Sequence, residues 1–299
     1  MPNRSRAGRV VLGLLVSGAI LSGFGPSFAC APDTPRTSCL RWEGPSKGPL
    51  PRAEGVDCTP PLLFGHRGAW KVWAPENTMP AFRCAEAQGA DGLEIDLQIS
   101  ADGHVVAMHD STPDRTTNAT GGRRVDEMSW AELSELDAGA WFHEDYRGLR
   151  IPRLDTIVAE QRDTQLRLLW DVKDIAVIEP LLETLRREDL LTRSIVSSTQ
   201  LAVLEAAAEA PELELLYYPT NLDADLPRLE AAGLPGLRYL RVPKAVADDP
   251  ASLQQIVDAG YEAATGEYRV DYRYGLGLVD DMDAVWSRVA PKMPEACGG

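Results

Sequence analysis

Positive charge is what this chain is shortest of: 30 Lys and Arg stand against 45 Asp and Glu, a formal net charge of -15. Nucleic-acid binding takes its affinity from basic side chains that release counterions from the phosphate backbone. No basic stripe offsets the deficit, so nucleic acid is excluded as a partner. The same field repels anionic small molecules, which bind only where a cation or clustered Lys/Arg reverses the sign locally. The chain also lacks an apolar run of the ~20 residues that cross a bilayer. The run Val10 to Phe24 is shorter, follows Arg4, Arg6 and Arg9, and precedes Ser27-Phe28-Ala29 with small residues around a cut. That pattern predicts an export signal over 1–29, a secreted or extracytoplasmic protein, and no transmembrane segment in the mature chain.

Cysteines are few and odd in number: Cys30, Cys39, Cys58, Cys84 and Cys297. Export permits disulfides. Cys58 precedes the first predicted strand and Cys297 follows the last helix, so these two are expected to pair, with Cys30–Cys39 as the second bridge. Cys84, within a predicted amphipathic helix from Thr78 to Gln88, is left as a buried free thiol. Cys30 directly after the cut also resembles a lipid acceptor, although Ser27 stands where that signal carries an aliphatic residue.

With 299 residues and 44% hydrophobic content, the chain can bury a full core. Residues 30–61 are rich in Pro, Gly and Ser without periodicity and read as a linker or strap. From Leu62 onwards short apolar runs alternate with helical patterns: Leu62–Gly65, Gly92–Gln98, Val105–His109, Leu166–Lys173, Ser194–Ser198, Glu214–Tyr218, Tyr239–Val242, Tyr261–Thr265 and Gly275–Val279. Strand–helix alternation predicts a parallel sheet, here an α/β fold, a (β/α)8 TIM barrel over 62–299. Nine runs compete for eight positions, and Tyr239–Val242 is taken as surplus. Only Ser100-Ala101-Asp102-Gly103 separates the second run from the third. A helix is therefore missing there, and so short an Asp-Gly link normally closes a hairpin. An insertion at about 111–152 follows the third strand, with a capping box at Ser129 and Glu132.

Polar residues interrupt these runs near the strand ends, where a barrel builds its active site. His66 ends the first. Glu94 and Asp96 occupy positions i and i+2 of the second and share a face. Two like charges facing a barrel interior need something positive between them, which a divalent cation supplies; the alternative is a solvated outer face. His109 and Asp110 close the third run. Asp171 and Lys173 repeat the i, i+2 spacing in the fourth, where a buried salt bridge is an equal explanation.

Taken in order, His66-Arg67-Gly68, Pro75-Glu76-Asn77-Thr78, Ala81-Phe82, Gly89-Ala90-Asp91-Gly92, Glu94-x-Asp96, Asp102-Gly103, His109-Asp110, Arg115-Thr116-Thr117, Leu136-Asp137-Ala138-Gly139, Trp141-Phe142 and Ile151-Pro152-x-Leu154 resemble the glycerophosphodiester phosphodiesterases of the phosphatidylinositol-phospholipase-C-like barrel superfamily. The resemblance implies His66 and His109 as the catalytic pair and Glu94 and Asp96 as metal carboxylates. Asp171 stands where the family has a Glu as third ligand, shortened by one methylene, and Arg67 and Lys173 would bind the phosphate. The secreted phospholipase D toxins carry Asp-x-Lys at this place, but they lack the His-Arg-Gly and Pro-Glu-Asn-Thr signatures. Beyond Thr199 the match thins: Ser197-Ser198 fits the fifth strand, whereas the family's Trp-Thr is Ala264-Thr265 and its Thr-Asp is Asp280-Asp281.

The implied reaction is metal-dependent hydrolysis of a small-molecule glycerophosphodiester or lysophospholipid to glycerol 3-phosphate and an alcohol. The imidazoles act as acid and base, and the all-oxygen ligand set favours one Ca²⁺ or Mg²⁺ over zinc, with export tilting the choice to Ca²⁺. One alternative is a phospholipase-D-like enzyme that forms a cyclic phosphate from lysolipid or sphingolipid. The other is a binding protein without turnover, against which the pair of histidines argues.

Overall fold

The computed structural model describes residues 62–71, 73–242, 249–266 and 276–280. The expected export signal and linker, the lipid-acceptor position at Cys30 and the Cys58–Cys297 and Cys30–Cys39 pairs lie outside these residues. Among the described residues no helix is long and apolar enough to cross a membrane.

Among the described residues nine strands form: β1 (Leu62–Gly65), β2 (Gly92–Ile99), β3 (Val105–Ala107), β4 (Arg167–Val172), β5 (Ser194–Ser198), β6 (Glu214–Tyr217), β7 (Leu237–Arg241), β8 (Glu262–Gly266) and β9 (Leu276–Val279). All but β3 run parallel around a closed ring, β1-β2-β4-β5-β6-β7-β8-β9, with β1 pairing both β2 and β9. This is the (β/α)8 barrel the alternation called for. The surplus strand was misassigned, however. β7 is a full barrel member between β6 and β8, and the ninth strand is β3, which pairs antiparallel with β2 outside the ring. The four-residue Asp-Gly link closes a hairpin, and no helix lies between the second and third strands, as expected.

Helices α1 (Met79–Ala87), α3 (Leu154–Gln161), α4 (Ile178–Arg187), α5 (Leu201–Ala207), α6 (Leu222–Ala232) and α7 (Pro250–Asp258) follow barrel strands, and α2 (Trp130–Leu133) lies in the insertion. Ser129 and Glu132 form the expected capping box on α2. The insertion has its own apolar cluster of Val106, Met108, Val125, Met128, Leu133, Ala138 and Ile151.

Alternation within the strands sorts residues into two cores. Phe64, Leu169, Ile195, Leu216, Tyr239, Ala264, Leu276 and Leu278 fill the barrel interior. Residues one position away, such as Leu63, Leu93, Ile95, Leu168, Leu215 and Leu240, join the cluster between sheet and helices. A strand buried on both faces reads as a continuous apolar run, which is why the strands were legible. Two residues on from Phe64, Leu169, Ile195, Leu216, Tyr239 and Leu278 stand His66, Asp171, Ser197, Tyr218, Arg241 and Asp280, inward positions at the C-terminal mouth. On β2 the outer residues are Leu93, Ile95 and Leu97, so Glu94 and Asp96 face inward, and the solvated-face alternative for them is excluded.

Cys84, on α1, is buried and disulfide-bonded. The expectation of a free thiol is corrected.

Candidate active site

The turn after β1 is built to expose backbone donors. Arg67 and Gly68 take consecutive left-handed conformations, φ 54° and 78°. At Gly68 a Cβ would lie 2.5 Å from the Ala81 backbone of α1, so only glycine lets the turn pack there. The fold-back aims the Arg67 N–H at Glu94 Oε2, 2.6 Å away. β1 ends at Gly65 opposite Leu93, which leaves the upper part of β2 without a partner on that side. Asn77, itself at φ 54°, takes the missing strand's place: its Oδ1 accepts from the Asp96 N–H at 3.2 Å and its Nδ2 donates to Asp96 Oδ2 at 2.8 Å.

Three carboxylates converge. Asp96 on β2 stands in register with Asp171 on β4, and oxygens of Glu94, Asp96 and Asp171 lie within 4.8 Å of one another, all buried. Burial and the neighbouring Asp96 charge push the Glu94 carboxyl up to about 7. Burial works the same way on Asp96, but Lys173 and Arg67 outweigh it and hold that carboxyl below its usual range. Lys173 Nζ sits 2.8 Å from Asp96 Oδ1 and 2.7 Å from Asp171 Oδ2. Arg67 Nε is 3.3 Å from Asp96, and its Nη1 donates to Glu76 at 2.8 Å. The two expected phosphate cations are thus engaged by carboxylates. The Asp96 and Asp171 charges both act to raise Glu94, and three hard oxygen donors suit a divalent cation of the Ca²⁺ or Mg²⁺ type.

Both imidazoles are held through Nδ1. His66 donates to Asp280 Oδ1 at 2.7 Å, and its backbone N–H bonds Val279 O at 2.8 Å. Trp70 Nε1 donates to the same Asp280 oxygen at 3.0 Å. His109 Nδ1 meets Asp110 Oδ1 at 2.7 Å. A carboxylate only accepts, so each Nδ1 carries hydrogen and each Nε2 is free to take or give a proton. Burial disfavours the charged form of His66, but Glu94 and Asp280 outweigh it and raise its pKa. His109 reaches the site by an unexpected route. β3 descends beside β2, with the Met108 N–H bonded to Asp96 O at 3.0 Å. His109 therefore follows an antiparallel strand and comes back level with the carboxylates.

A chain of ion pairs ties the two histidine loops together. Arg115 binds Asp110 at 2.6 Å and grips buried Glu76 at 2.7 and 2.8 Å. Glu76 in turn holds Arg67. Arg115 pulls the Asp110 carboxyl down to about 2. Sequence reasoning placed Glu76, Arg115 and Asp110 in motifs without a task, and treated Asp280 only as a departure from the family pattern. Tyr218 and Arg241 were missed. The signal for both was parity, since each stands two residues beyond an interior apolar residue.

Acids, bases and fixed cations gather at the C-terminal mouth of a closed barrel, the face where such enzymes carry their chemistry, and the molecule is a barrel enzyme by that criterion. The sequence profile described as "Glycerophosphoryl diester phosphodiesterase family" matches residues 66–226. The chain belongs to that family. It is 36% identical over 168 residues to a glycerophosphodiester phosphodiesterase of Caldanaerobacter subterraneus, 54% of this chain and 68% of that protein. It spans between 30% and 44% of the length of further curated relatives. Among solved structures, a glycerophosphodiester phosphodiesterase from Agrobacterium tumefaciens superposes with TM-score 0.63 at 27% identity, covering 77% of this chain and 100% of that one. An Oleispira antarctica phosphodiesterase in complex with the product sn-glycerol-3-phosphate gives TM-score 0.64 at 27% identity, covering 76% and 96%.

Proposed function

We propose that this chain hydrolyses glycerophosphodiesters to glycerol 3-phosphate and an alcohol, outside the cytoplasm, with one divalent cation held by Glu94, Asp96 and Asp171. The observation that carries the reading is the cluster of three buried carboxylates set beside two imidazoles with free Nε2 atoms. Family membership and the relatives' printed activities support it. Ca²⁺ is favoured over Mg²⁺ because an exported protein meets it at higher concentration. When bound, the ion supplies Lewis-acid stabilisation of the phosphate oxygens.

This chain's own residues supply the rest. Asp280 and Asp110 fix the rings of His66 and His109, so that one Nε2 removes a proton from the attacking water and the other protonates the departing alkoxide oxygen. Lys173 keeps Asp96 ionised and orients both Asp96 and Asp171, and Arg67 clamps Glu76 to Asp96. The Cys84 disulfide fits an oxidising compartment, consistent with the export pattern. Mass analysis of the exported protein's N-terminus checks the localisation: a first residue at position 30 supports it, and an intact Met1 in the cytoplasmic fraction overturns it.

The test of the activity is turnover of glycerophosphocholine followed by phosphorus NMR, with and without EDTA. Glycerol 3-phosphate as product, abolished by EDTA and restored by Ca²⁺ or Mg²⁺, is expected. A cyclic phosphate would show a substrate hydroxyl acting as nucleophile. Full turnover in chelated protein, or none with either ion, would refute the reading.

A further inference from the structure

The inward cations at the mouth differ in how far they are committed. Arg67 is shared between Glu76 and Asp96, and Lys173 between Asp96 and Asp171. Arg241, at the end of β7, forms no ion pair among the described residues. Its guanidinium carbon lies 5.0 Å above the ring of Tyr218 at the end of β6, and Tyr218 Oη is 3.5 Å from Asp171 Oδ2 and from Ser197 Oγ.

Position adds to this. Tyr239 is packed in the barrel interior, so Arg241, two residues on, points into the mouth. In the ring β1-β2-β4-β5-β6-β7-β8-β9, β7 is four strands from β2 in either direction. Arg241 therefore faces Glu94 and Asp96 from the opposite wall. The carboxylates Glu94 and Asp171 act on it through their field without touching it. A half-buried guanidinium on an aromatic ring, with no counter-ion in contact among the described residues, is costly to maintain unless an anion completes it. Its planar fork matches two phosphate oxygens.

We propose that Arg241, held flat by Tyr218, is a phosphate-binding residue that grips the non-bridging oxygens of the diester from the wall opposite the carboxylates. This rests on the proposed function, since it assumes that a phosphate occupies the mouth. Arg241 would act beside Arg67 and Lys173, from which this task was expected.

The experiment compares wild type, Arg241→Gln and Arg241→Lys by equilibrium binding of sn-glycerol 3-phosphate and of glycerol, with Ca²⁺ present, and by KM for glycerophosphocholine. Loss of a charge-assisted bidentate contact is expected to weaken glycerol 3-phosphate binding and raise KM roughly 10- to 100-fold in Arg241→Gln. Arg241→Lys should lie in between, and glycerol binding should not change. A merely structural arginine would affect both ligands alike and lower the unfolding midpoint. Wild-type affinity for glycerol 3-phosphate in Arg241→Gln overturns this assignment alone. A wild type that neither binds glycerol 3-phosphate nor turns over the diester overturns the functional reading and this assignment with it.

Discussion

Replacing Glu94 by Gln removes the one acid at the mouth whose proton affinity burial and Asp96 have raised, from an ordinary 4.5 to about 7. The sign follows from proton linkage: between those two values the folded state holds a proton that the unfolded state has released, so stability falls as pH rises through this window. The gap corresponds to about 3 kcal/mol at 1.36 kcal/mol per pKa unit. Glu94 is fully buried, so solvent screening does not reduce the figure much. Gln keeps an oxygen for the Arg67 N–H and carries no charge. In EDTA, urea unfolding at pH 4.5 should find the two proteins similar. At pH 8 the variant should be more stable by about 3 kcal/mol, or roughly 6–12 °C in Tm for a domain of this size. Adding Ca²⁺ should stabilise wild type by mass action and help the variant less. A stability difference that is the same at both pH values would refute the claim that Glu94 carries unneutralised charge.

Four further outcomes are expected. His66→Ala and His109→Ala should each lower kcat by ~10²–10⁴ with an unchanged unfolding midpoint; wild-type rates in both would dismiss the acid–base assignment. Asp280→Ala, which frees His66 Nδ1 and the Trp70 indole, should cost kcat at least ~10-fold and alter the pH profile more than KM. Glu76→Ala leaves Arg67 and Arg115 facing each other without their shared partner, and urea unfolding should register a loss of about 3–5 kcal/mol. Gly68→Ala puts a methyl against the Ala81 backbone at a positive φ and should destabilise the turn and depress activity together, as measured by melting and turnover on the same sample.

The barrel was legible because a parallel sheet buried on both faces writes its strands as apolar runs, and all nine were visible. What alternation does not encode is which strand leaves the ring. β7 begins Leu237-Arg238, half-exposed and exposed, whereas all three residues of Val105–Ala107 are buried although that strand lies outside the ring. Demoting β7 hid Arg241. The acids on β2 and β4 could be read from i, i+2 spacing, since inward-facing charges in an apolar strand are conspicuous. The residues that hold them, Asn77, Glu76 and Arg115, come from turns, where no periodicity marks direction, and Asp280 gains its task only when β9 closes on β1. Cys84 was misjudged because helical burial alone does not distinguish a free thiol from one half of a bridge.

The central claim is that Glu94, Asp96 and Asp171 hold one cation. Anomalous diffraction from crystals grown with Mn²⁺ in place of Ca²⁺ tests it most directly. The account requires a single strong peak between these three side chains, lost in Asp96→Ala. A peak elsewhere, or no peak while Lys173 still bridges Asp96 and Asp171, would contradict it.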